Sequence, residues 1–229
     1  MKRDALARQT QKEQTRARLV EAALSVFAQR GYQEATVDDM AAAAGHSKGA
    51  FYFHFATKDE VFLELLKLWV TEQTARLKAF EKSVPAAALL EGLEGFLSYE
   101  GRERDWPPLV LEFWAQGRRD AGFQNALQQA YGSWQKLLTQ AFRRAAREGV
   151  LAGVVAPEVA ARTVLATHDG LVVETCLDPQ AAAQGSLRRL LGALLSYLSS
   201  GGPQVAVEAS RPSAARPAAR RRRRRPSAA

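Results

Sequence analysis

Residues 36–55, TVDDMAAAAGHSKGAFYFHF, contain the pattern that decides the fold of this chain. Thr36 is a favourable N-cap, and the two aspartates after it place negative charge in the first turn of a helix, where the helix dipole favours it. Gly45 supplies the backbone freedom that ends this helix, and Ser47 is the N-cap of a second one. The apolar positions of the first helix have the spacing of a buried face: Val37, Met40, Ala41 and Ala44. Two short helices joined by a tight turn are the arrangement of a DNA-binding helix-turn-helix.

The second helix has a surface suited to nucleic acid. Its N-terminal end, which reaches base edges in a major groove, contains Lys48, Gly49 and Ala50. The two small residues let the backbone approach DNA closely, and Lys48 can donate to a guanine or to a phosphate. Three donors that could reach phosphates follow: Tyr52, His54 and Lys58. The alternative is a helical hairpin with aromatic filler, and composition alone does not separate the two.

Between positions 15 and 66, a wider set of residues matches a known sequence pattern at fixed spacings. It consists of Thr15-Arg16, the run LVEAAL at 19–24, Phe27, Gly31-Tyr32, Ala35-Thr36-Val37, Ala41, Ala44-Gly45, the run SKGAFYFHF at 47–55, and Lys58-Asp59-Glu60. On this set the segment resembles the N-terminal domain of the tetracycline-repressor (TetR) family of bacterial transcription regulators.

The resemblance implies a set of DNA-contacting residues. They are Thr15, Thr36, His46, Ser47, Lys48, Gly49, Ala50, Tyr52, His54 and Lys58. The family pattern has a small apolar residue, often Val, at the position of His46. His46 therefore has two interpretations, in which it either packs inward or faces DNA.

Length and composition set the class of protein. The chain has 229 residues, of which 47% are hydrophobic, enough for a sizeable core. No apolar run approaches the roughly 18 residues that a membrane span needs, and the first residues lack the apolar core of a signal peptide. A single cysteine, Cys176, excludes an internal disulfide framework and fits a reducing compartment. We therefore expect a cytoplasmic protein with no membrane partner.

The net charge of +8 is unevenly distributed. Residues 1–58 hold nine Lys or Arg and six Asp or Glu, a balance of +3. Residues 59–200 hold 15 and 17, a balance of −2, and residues 201–229 hold eight and one, a balance of +7. The basic N-terminal segment supports phosphate binding there, whereas the middle of the chain has no electrostatic case for DNA.

An all-α fold of about nine helices is predicted, because no segment shows the alternation typical of strands. The first helix covers 15–30, has an apolar stripe and ends at Gly31, with Phe51 and Phe55 completing its core. Further helices are predicted at 58–80, 86–99, 109–116, 121–148, 157–177 and 182–198, with a polar loop at 101–108 that ends in two prolines.

Four segments follow from this reading of the chain. They are a basic N-terminal arm at 1–14, a three-helix helix-turn-helix domain at 15–57, a larger helical effector-binding and dimerisation domain at 58–200, and a disordered arginine-rich tail at 201–229. The arm is either a frayed end or extension of the first helix, or a DNA contact. The tail has no apolar face to bury, and its six arginines at 220–225 either do little or add salt-sensitive affinity for DNA. The tail is not part of the family pattern.

The helices at about 157–177 and 182–198 are the predicted dimer face. Leucines surround much of the second helix, more than one buried face needs. Two such helices from each of two chains would make a four-helix bundle. The alternative is that both are interior to a monomer, and the resemblance favours the homodimer. A two-fold dimer implies a roughly palindromic DNA site.

The resemblance also implies a small-molecule effector inside the C-terminal domain. Candidate lining residues are Trp69, Trp106, Phe113, Trp114, Arg118, Tyr131, Trp134 and His168. For each aromatic residue the alternative is ordinary core packing. Residues 112–115 and 169–171, with 177–179, resemble the branch that contains regulators of betaine and pyrimidine metabolism. This names no ligand, and a fatty-acyl or other lipophilic effector fits the aromatic residues equally well.

The sequence offers little for catalysis. It has three histidines and lacks a paired metal-binding histidine motif, a phosphate-binding glycine loop and a nucleophile motif, so no enzyme, metal or cofactor is expected. We predict a dimeric, ligand-responsive regulator, most simply a repressor that an effector releases from a palindromic operator. The alternative is a DNA-coating protein that ignores sequence, relies on its arginine-rich tail and has no effector.

Overall fold

The computed structural model describes residues 2–82, 92–93, 96–97, 105–149, 155–178 and 193. Seven helices are delimited in these ranges, and none of the described residues forms a strand, so the all-α prediction is confirmed. They are α1 (Lys2–Glu34), α2 (Val37–Ala43), α3 (Lys48–His54), α4 (Lys58–Lys82), α5 (Trp106–Gly117), α6 (Ala121–Arg147) and α7 (Pro157–Leu177).

Local hydrogen bonds form the helix-turn-helix as the sequence predicts. The hydroxyl of Thr36 accepts a hydrogen bond from the backbone N–H of Asp39, whose carboxylate accepts one from the N–H of Thr36, and this reciprocal pair starts α2. Gly45 adopts the left-handed conformation at φ 69°, which turns the chain between α2 and α3. Ser47 Oγ then accepts from Ala50 N at 3.2 Å and starts α3.

The first helix begins earlier than predicted. Residues 2–14 are helical and continuous with the predicted first helix, so they form an extension of α1. At the other end, Gly31 interrupts the helical conformation with φ 72° and ψ 170°, and a short turn follows to Glu34. The predicted stop at Gly31 is therefore a break within α1.

The two prolines before α5 also have a different position from the predicted one. Pro107 and Pro108 lie within the first turn of α5, which starts at Trp106, instead of closing the preceding loop. The first turn of a helix has no internal partner for its N–H groups, so proline is tolerated there.

One apolar core runs from the helix-turn-helix into the rest of the chain. Leu19, Ala23 and Phe27 of α1 are buried, as are Phe51 and Phe55 around α3. The ring of Phe27 lies 4.9 Å from that of Phe62 on α4, which lies 4.8 Å from Phe113 on α5. The position of α3 is therefore fixed by packing that continues into α4 and α5.

The later helices pack around α6. This helix contacts α4, α5 and α7, and its buried side includes Trp134, Leu138 and Phe142. Residues 92–93 and 96–97 are helical, and Leu93 and Phe96 are buried. The rest of the predicted helix at 86–99, the loop at 101–104, the tail at 201–229 and all of the helix at 182–198 except residue 193 lie outside the described residues.

Candidate nucleic-acid interface and effector site

The N-terminal end of α3 is exposed. Ser47, Lys48 and Gly49 are exposed and Ala50 is partly so. Lys48 Nζ donates to Asp38 Oδ2 of α2 at 2.8 Å, and this hydrogen bond raises the pKa of the lysine. Both partners are largely exposed, so the ammonium is held beside the recognition surface without being buried.

An aromatic surface follows on α3. The side chain of Tyr52 is 50% exposed and that of Phe53 is 70% exposed, whereas Phe51 is fully buried. The ammonium of Lys12 from the extended α1 lies 5.1 Å from the centre of the Phe53 ring. The extension of α1 therefore brings a cation to the outer face of α3. Phe53 was not among the predicted contacts. The sequence feature that could have indicated its exposure is its position between Phe51 and Phe55, which share the buried face of the helix.

Lys58 has a different role from the predicted phosphate contact. Its Nζ donates to three backbone carbonyls in the last residues of α1 and the turn after it: Tyr32 at 2.7 Å, Ala35 at 3.1 Å and Gln33 at 3.3 Å. It also lies 4.5 Å from the centre of the Tyr32 ring. Because an ammonium has three N–H donors, this geometry leaves none for a phosphate. Lys58 instead connects the start of α4 to the turn before α2.

The two histidines of the helix-turn-helix are both partly buried. Burial lowers the pKa of His54, and the positive charges of Lys12 and Arg16 lower it further, so we expect this ring to be neutral near pH 7. His54 Nδ1 and His46 Nε2 are buried and lack a hydrogen-bond partner among the described residues. His46 faces α1, where it lines a surface depression with Thr10, Thr15 and Arg18.

Thr15 and Thr36 differ in their availability. Thr15 is partly buried in the depression beside His46. Thr36 is exposed, but its hydroxyl is used in the N-cap of α2, where it accepts from Asp39 N and donates to Asp39 Oδ2 at 2.7 Å. A contact between Thr36 and DNA would therefore add to its role as a cap.

A second connection joins the turn before α2 to α5. Glu112 Oε1 accepts a hydrogen bond from the backbone N–H of Tyr32 at 3.2 Å. Tyr32 OH also donates to Asp59 of α4, and burial together with this hydrogen bond raises the pKa of the tyrosine. A side chain at Gly31 would bring its Cβ within 3.2 Å of Glu112 Oε1. The same turn thus contacts both α4 and α5.

Four of the predicted effector residues form one buried cluster. The ring of Trp69 lies 5.2 Å from Trp134, 6.0 Å from Phe113 and 6.2 Å from His168. All four side chains are at most 1% exposed. Phe96 stacks on His168 at 4.9 Å. We call these five residues the aromatic cluster.

A chain of polar contacts leaves this cluster through two more predicted residues. Trp114 Nε1 donates to Tyr131 OH at 3.2 Å, and Tyr131 OH donates to Asp169 Oδ1 at 2.6 Å. The same Oδ1 lies 3.2 Å from His168 Nδ1. Tyr131 also contacts the cluster directly, since its ring lies 5.1 Å from that of Trp134.

Two predicted residues lie elsewhere. Trp106 lines a groove between α1 and α4 together with Val20 and Leu68. Arg118 is exposed at the C-terminal cap of α5. Neither of them contacts the aromatic cluster: Trp106 is buried at the start of α5 beside α1 and α4, and Arg118 follows the end of the helix and is exposed.

One residue of the cluster region was not predicted. Gln73 follows Trp69 by one helical turn on α4 and is only 1% exposed. Its Oε1 and the indole Nε1 of Trp69 are buried atoms that have no hydrogen-bond partner among the residues that the structure describes. The sequence could have indicated the burial of Gln73, because this polar residue has the helical spacing of the apolar positions of α4. Among the described residues, no group of acidic, histidine or cysteine side chains is suited to hold a metal ion.

The helix-turn-helix with an exposed α3, continuous with a helical second domain, defines the class of helix-turn-helix DNA-binding proteins. A family model for bacterial regulatory proteins of the tetR family matches residues 19–65. A model for the C-terminal domain of BetI-type transcriptional repressors matches residues 85–199, half of the chain. The chain belongs to the TetR family of bacterial transcription regulators.

Curated relatives are similar over part of their length. The HTH-type transcriptional repressor AcnR of Corynebacterium efficiens is 36% identical over 110 residues, which are 48% of this chain and 54% of AcnR. The HTH-type transcriptional repressor KstR2 of Mycobacterium tuberculosis is 37% identical over 98 residues, 42% of this chain and 48% of KstR2. The chain spans about half the length of these curated relatives.

Solved structures share the fold over most of the chain. A transcriptional regulator from Saccharomonospora viridis in complex with choline has a TM-score of 0.73 at 23% identity, covering 81% of this chain and 97% of that one. FadR from Bacillus subtilis in complex with stearoyl-CoA has a TM-score of 0.63 at 18% identity, covering 81% and 98%. At these identities the likeness shows the fold.

Proposed function

We propose that this protein is a ligand-responsive transcriptional repressor that binds a palindromic operator as a homodimer and releases it when a small molecule binds. The observation that carries this proposal is the course of α4. This helix starts at Lys58, which holds the turn before α2, and passes through Trp69 in the aromatic cluster. The names of AcnR and KstR2, both repressors, support the same function.

We assign DNA contact to the exposed end of α3 and its neighbours. Ser47, Lys48, Gly49 and Ala50 would meet base edges, because the N-terminal end of a recognition helix enters the major groove. Tyr52 would donate to a phosphate. Thr15 and His46 border the depression beside α3, and Phe53 with Lys12 extends the surface along α1.

The dimer face is assigned to α7. Its exposed positions Val159, Ala166, Gly170, Val173 and Leu177 lie within about 60° of one another around the helix, at 100° per residue. Val159 is 54% exposed and Leu177 is 81% exposed. Exposed apolar side chains aligned along one face of a helix are unusual on a monomer and are typical of an interface. An apolar stripe with small residues at its centre lets two helices approach closely, as a self-complementary two-fold interface requires.

Release follows from a shift between two forms of the dimer. The effector must bind the form that does not fit DNA better than the form that does, because an effector shifts an equilibrium only by its difference in affinity. In this chain α4 and α5 both contact the turn before α2 and both contribute to the aromatic cluster. If the effector displaces either helix, the contacts that hold the turn before α2 change, and the position of α3 changes with them.

The location and chemistry follow from this function. No helix in the described part of the chain is long and apolar enough to cross a membrane. We propose that the protein acts on DNA in the cytoplasm, as a regulator and not as an enzyme.

Operator binding is the direct test. Fluorescence anisotropy would compare the full chain and a version ending at Ser200 on the chain's own upstream DNA and on scrambled DNA, across a salt series. A preference for the upstream DNA that survives truncation supports the helix-turn-helix as the source of specificity. If the full chain never discriminates, or if truncation removes all binding, the DNA-coating alternative replaces the proposal.

A further inference from the structure

Two polar atoms of the aromatic cluster region lack partners within the described part of the chain. Trp69 Nε1 is a donor and Gln73 Oε1 is an acceptor, and both are buried there without a hydrogen bond. Trp69 is fully buried and Gln73 is 1% exposed. A buried polar atom without a partner is destabilising, so two of them one helical turn apart on α4 require an explanation.

Both side chains belong to α4. Trp69 and Gln73 are four residues apart on α4, so their side chains lie on the same face of the helix, one turn apart. The next residue, Thr74, accepts a hydrogen bond from Trp134 Nε1 at 2.9 Å. The other indole of the cluster is therefore satisfied by a side chain, whereas that of Trp69 is not.

The pair selects the chemistry of a ligand. An indole N–H can only donate, so the ligand must present an acceptor, and the amide oxygen of Gln73 requires a donor beside it. A hydroxyl or a primary carboxamide offers both within one small group. The rings of Trp69, Phe113 and Trp134 would pack against an apolar body attached to that group.

Charge argues against an anionic ligand. Asp169 is connected to the aromatic cluster through His168, and its carboxylate disfavours a second carboxylate nearby. A trimethylammonium group by itself offers neither an acceptor to Trp69 Nε1 nor a donor to Gln73 Oε1, so a quaternary ammonium without a hydroxyl would leave both atoms unsatisfied.

We propose that the effector is a neutral apolar molecule bearing a hydroxyl or carboxamide that accepts from Trp69 Nε1 and donates to Gln73 Oε1. This inference rests on the proposed function, because it names the chemistry of the molecule that would release the operator. It assigns Trp69 and Gln73 as the specificity-determining residues of the effector site.

Four probes with the same alkyl chain test it: octan-1-ol, octanamide, octanoate and octyltrimethylammonium. Their binding to the full-length chain would be measured by isothermal titration calorimetry and by the shift in melting temperature. The variants are Gln73→Leu, which removes the amide at similar volume, and Trp69→Phe, which removes the N–H. Gln128→Leu is the matched control, since Gln128 is an exposed glutamine on α6.

Octan-1-ol and octanamide are expected to bind the wild type, with Gln73→Leu and Trp69→Phe weakening each of them about tenfold, the loss of one buried hydrogen bond. Gln128→Leu should leave binding unchanged. Without probe, Gln73→Leu should melt at the same or a higher temperature, because it removes an unsatisfied polar group. A glutamine with only a structural role would instead lower the melting temperature and leave probe binding intact.

Three results would overturn the inference. They are tighter binding of octanoate or the ammonium probe, unchanged binding by Gln73→Leu, and no binding of either neutral probe. Operator affinity without probe, measured on the same samples, separates this inference from the proposed function. An intact operator preference with any of these three results removes only the assigned effector chemistry.

Discussion

At the scale of single residues, Lys48 and Tyr52 separate base reading from phosphate binding. Lys48→Ala should lower affinity for the operator several-fold and also change the preferred bases, because the ammonium lies at the end of α3 that we propose enters the groove. Tyr52→Phe should weaken binding to every sequence by a similar several-fold factor, since a phosphate contact is independent of sequence. Anisotropy on the operator, single-base variants and random DNA measures both. Equal losses on operator and random DNA for both variants would contradict these roles.

The Lys48 variant should fold normally. The Lys48–Asp38 ion pair is exposed on both sides, and such pairs contribute little to the free energy of unfolding. A changed melting temperature of Lys48→Ala would mean that its DNA defect reflects a disturbed α2–α3 turn.

His54 gives a prediction about pH. Burial and nearby cations lower its pKa in the folded state, so the unfolded chain takes up a proton first as the pH falls below about 6.5. The free energy of unfolding should therefore decrease on acidification through this range, with no contribution from His54 above it. Urea unfolding at pH 7.5 and pH 5.5 should show a smaller decrease in His54→Gln than in the wild type. The same decrease in both proteins would show that His54 does not cause the pH dependence of the free energy of unfolding.

At the scale of elements, Glu112 connects α5 to the DNA-binding domain. Glu112→Ala removes the acceptor of the Tyr32 N–H and should lower the free energy of unfolding by about 1–2 kcal/mol. It should also weaken the response of operator binding to an effector, because one of the two contacts on the turn before α2 is lost. Glu112→Gln keeps an acceptor oxygen and should remain close to the wild type in urea unfolding. An equal loss in both variants would assign the effect to charge.

The sequence predicts elements best where local bonding decides them. The caps Thr36 and Ser47 and the turn at Gly45 were predictable because each acts within four residues. The extension of α1 over residues 2–14 was not, because that segment is polar on all sides and has no apolar stripe. In sequence the two prolines of α5 look like the end of a loop. Whether they close the loop or lie in the first turn of the helix depends on where the helix starts, and it starts at the buried Trp106.

Residue roles that depend on tertiary contacts were predicted less well. Lys58 looks like a phosphate ligand in sequence, and only the folded chain places its ammonium among three carbonyls from α1 and the turn after it. The aromatic cluster was predicted as a set of residue types, since helical spacing indicates burial. Spacing does not indicate which of those residues meet, and in the folded chain Trp106 and Arg118 lie outside the cluster.

At the scale of the whole molecule, the assigned dimer face on α7 determines how the protein reads DNA. Two copies of α3 bind a palindrome cooperatively only if the subunits are joined, so a variant that separates the subunits should lose most operator affinity while each chain stays folded. Val173→Asp places a charge at a position that is 40% exposed in the single chain and would be buried in the dimer. We expect it to halve the mass measured by light scattering, to retain helical circular dichroism, and to lower operator affinity at least tenfold.

Gln128→Asp, at an exposed position on α6, is the control and should remain a dimer. If Val173→Asp stays dimeric and binds the operator like the wild type, α7 does not form the dimer face. If it becomes monomeric and still binds with full affinity, a single helix-turn-helix is sufficient and the palindromic operator is not required.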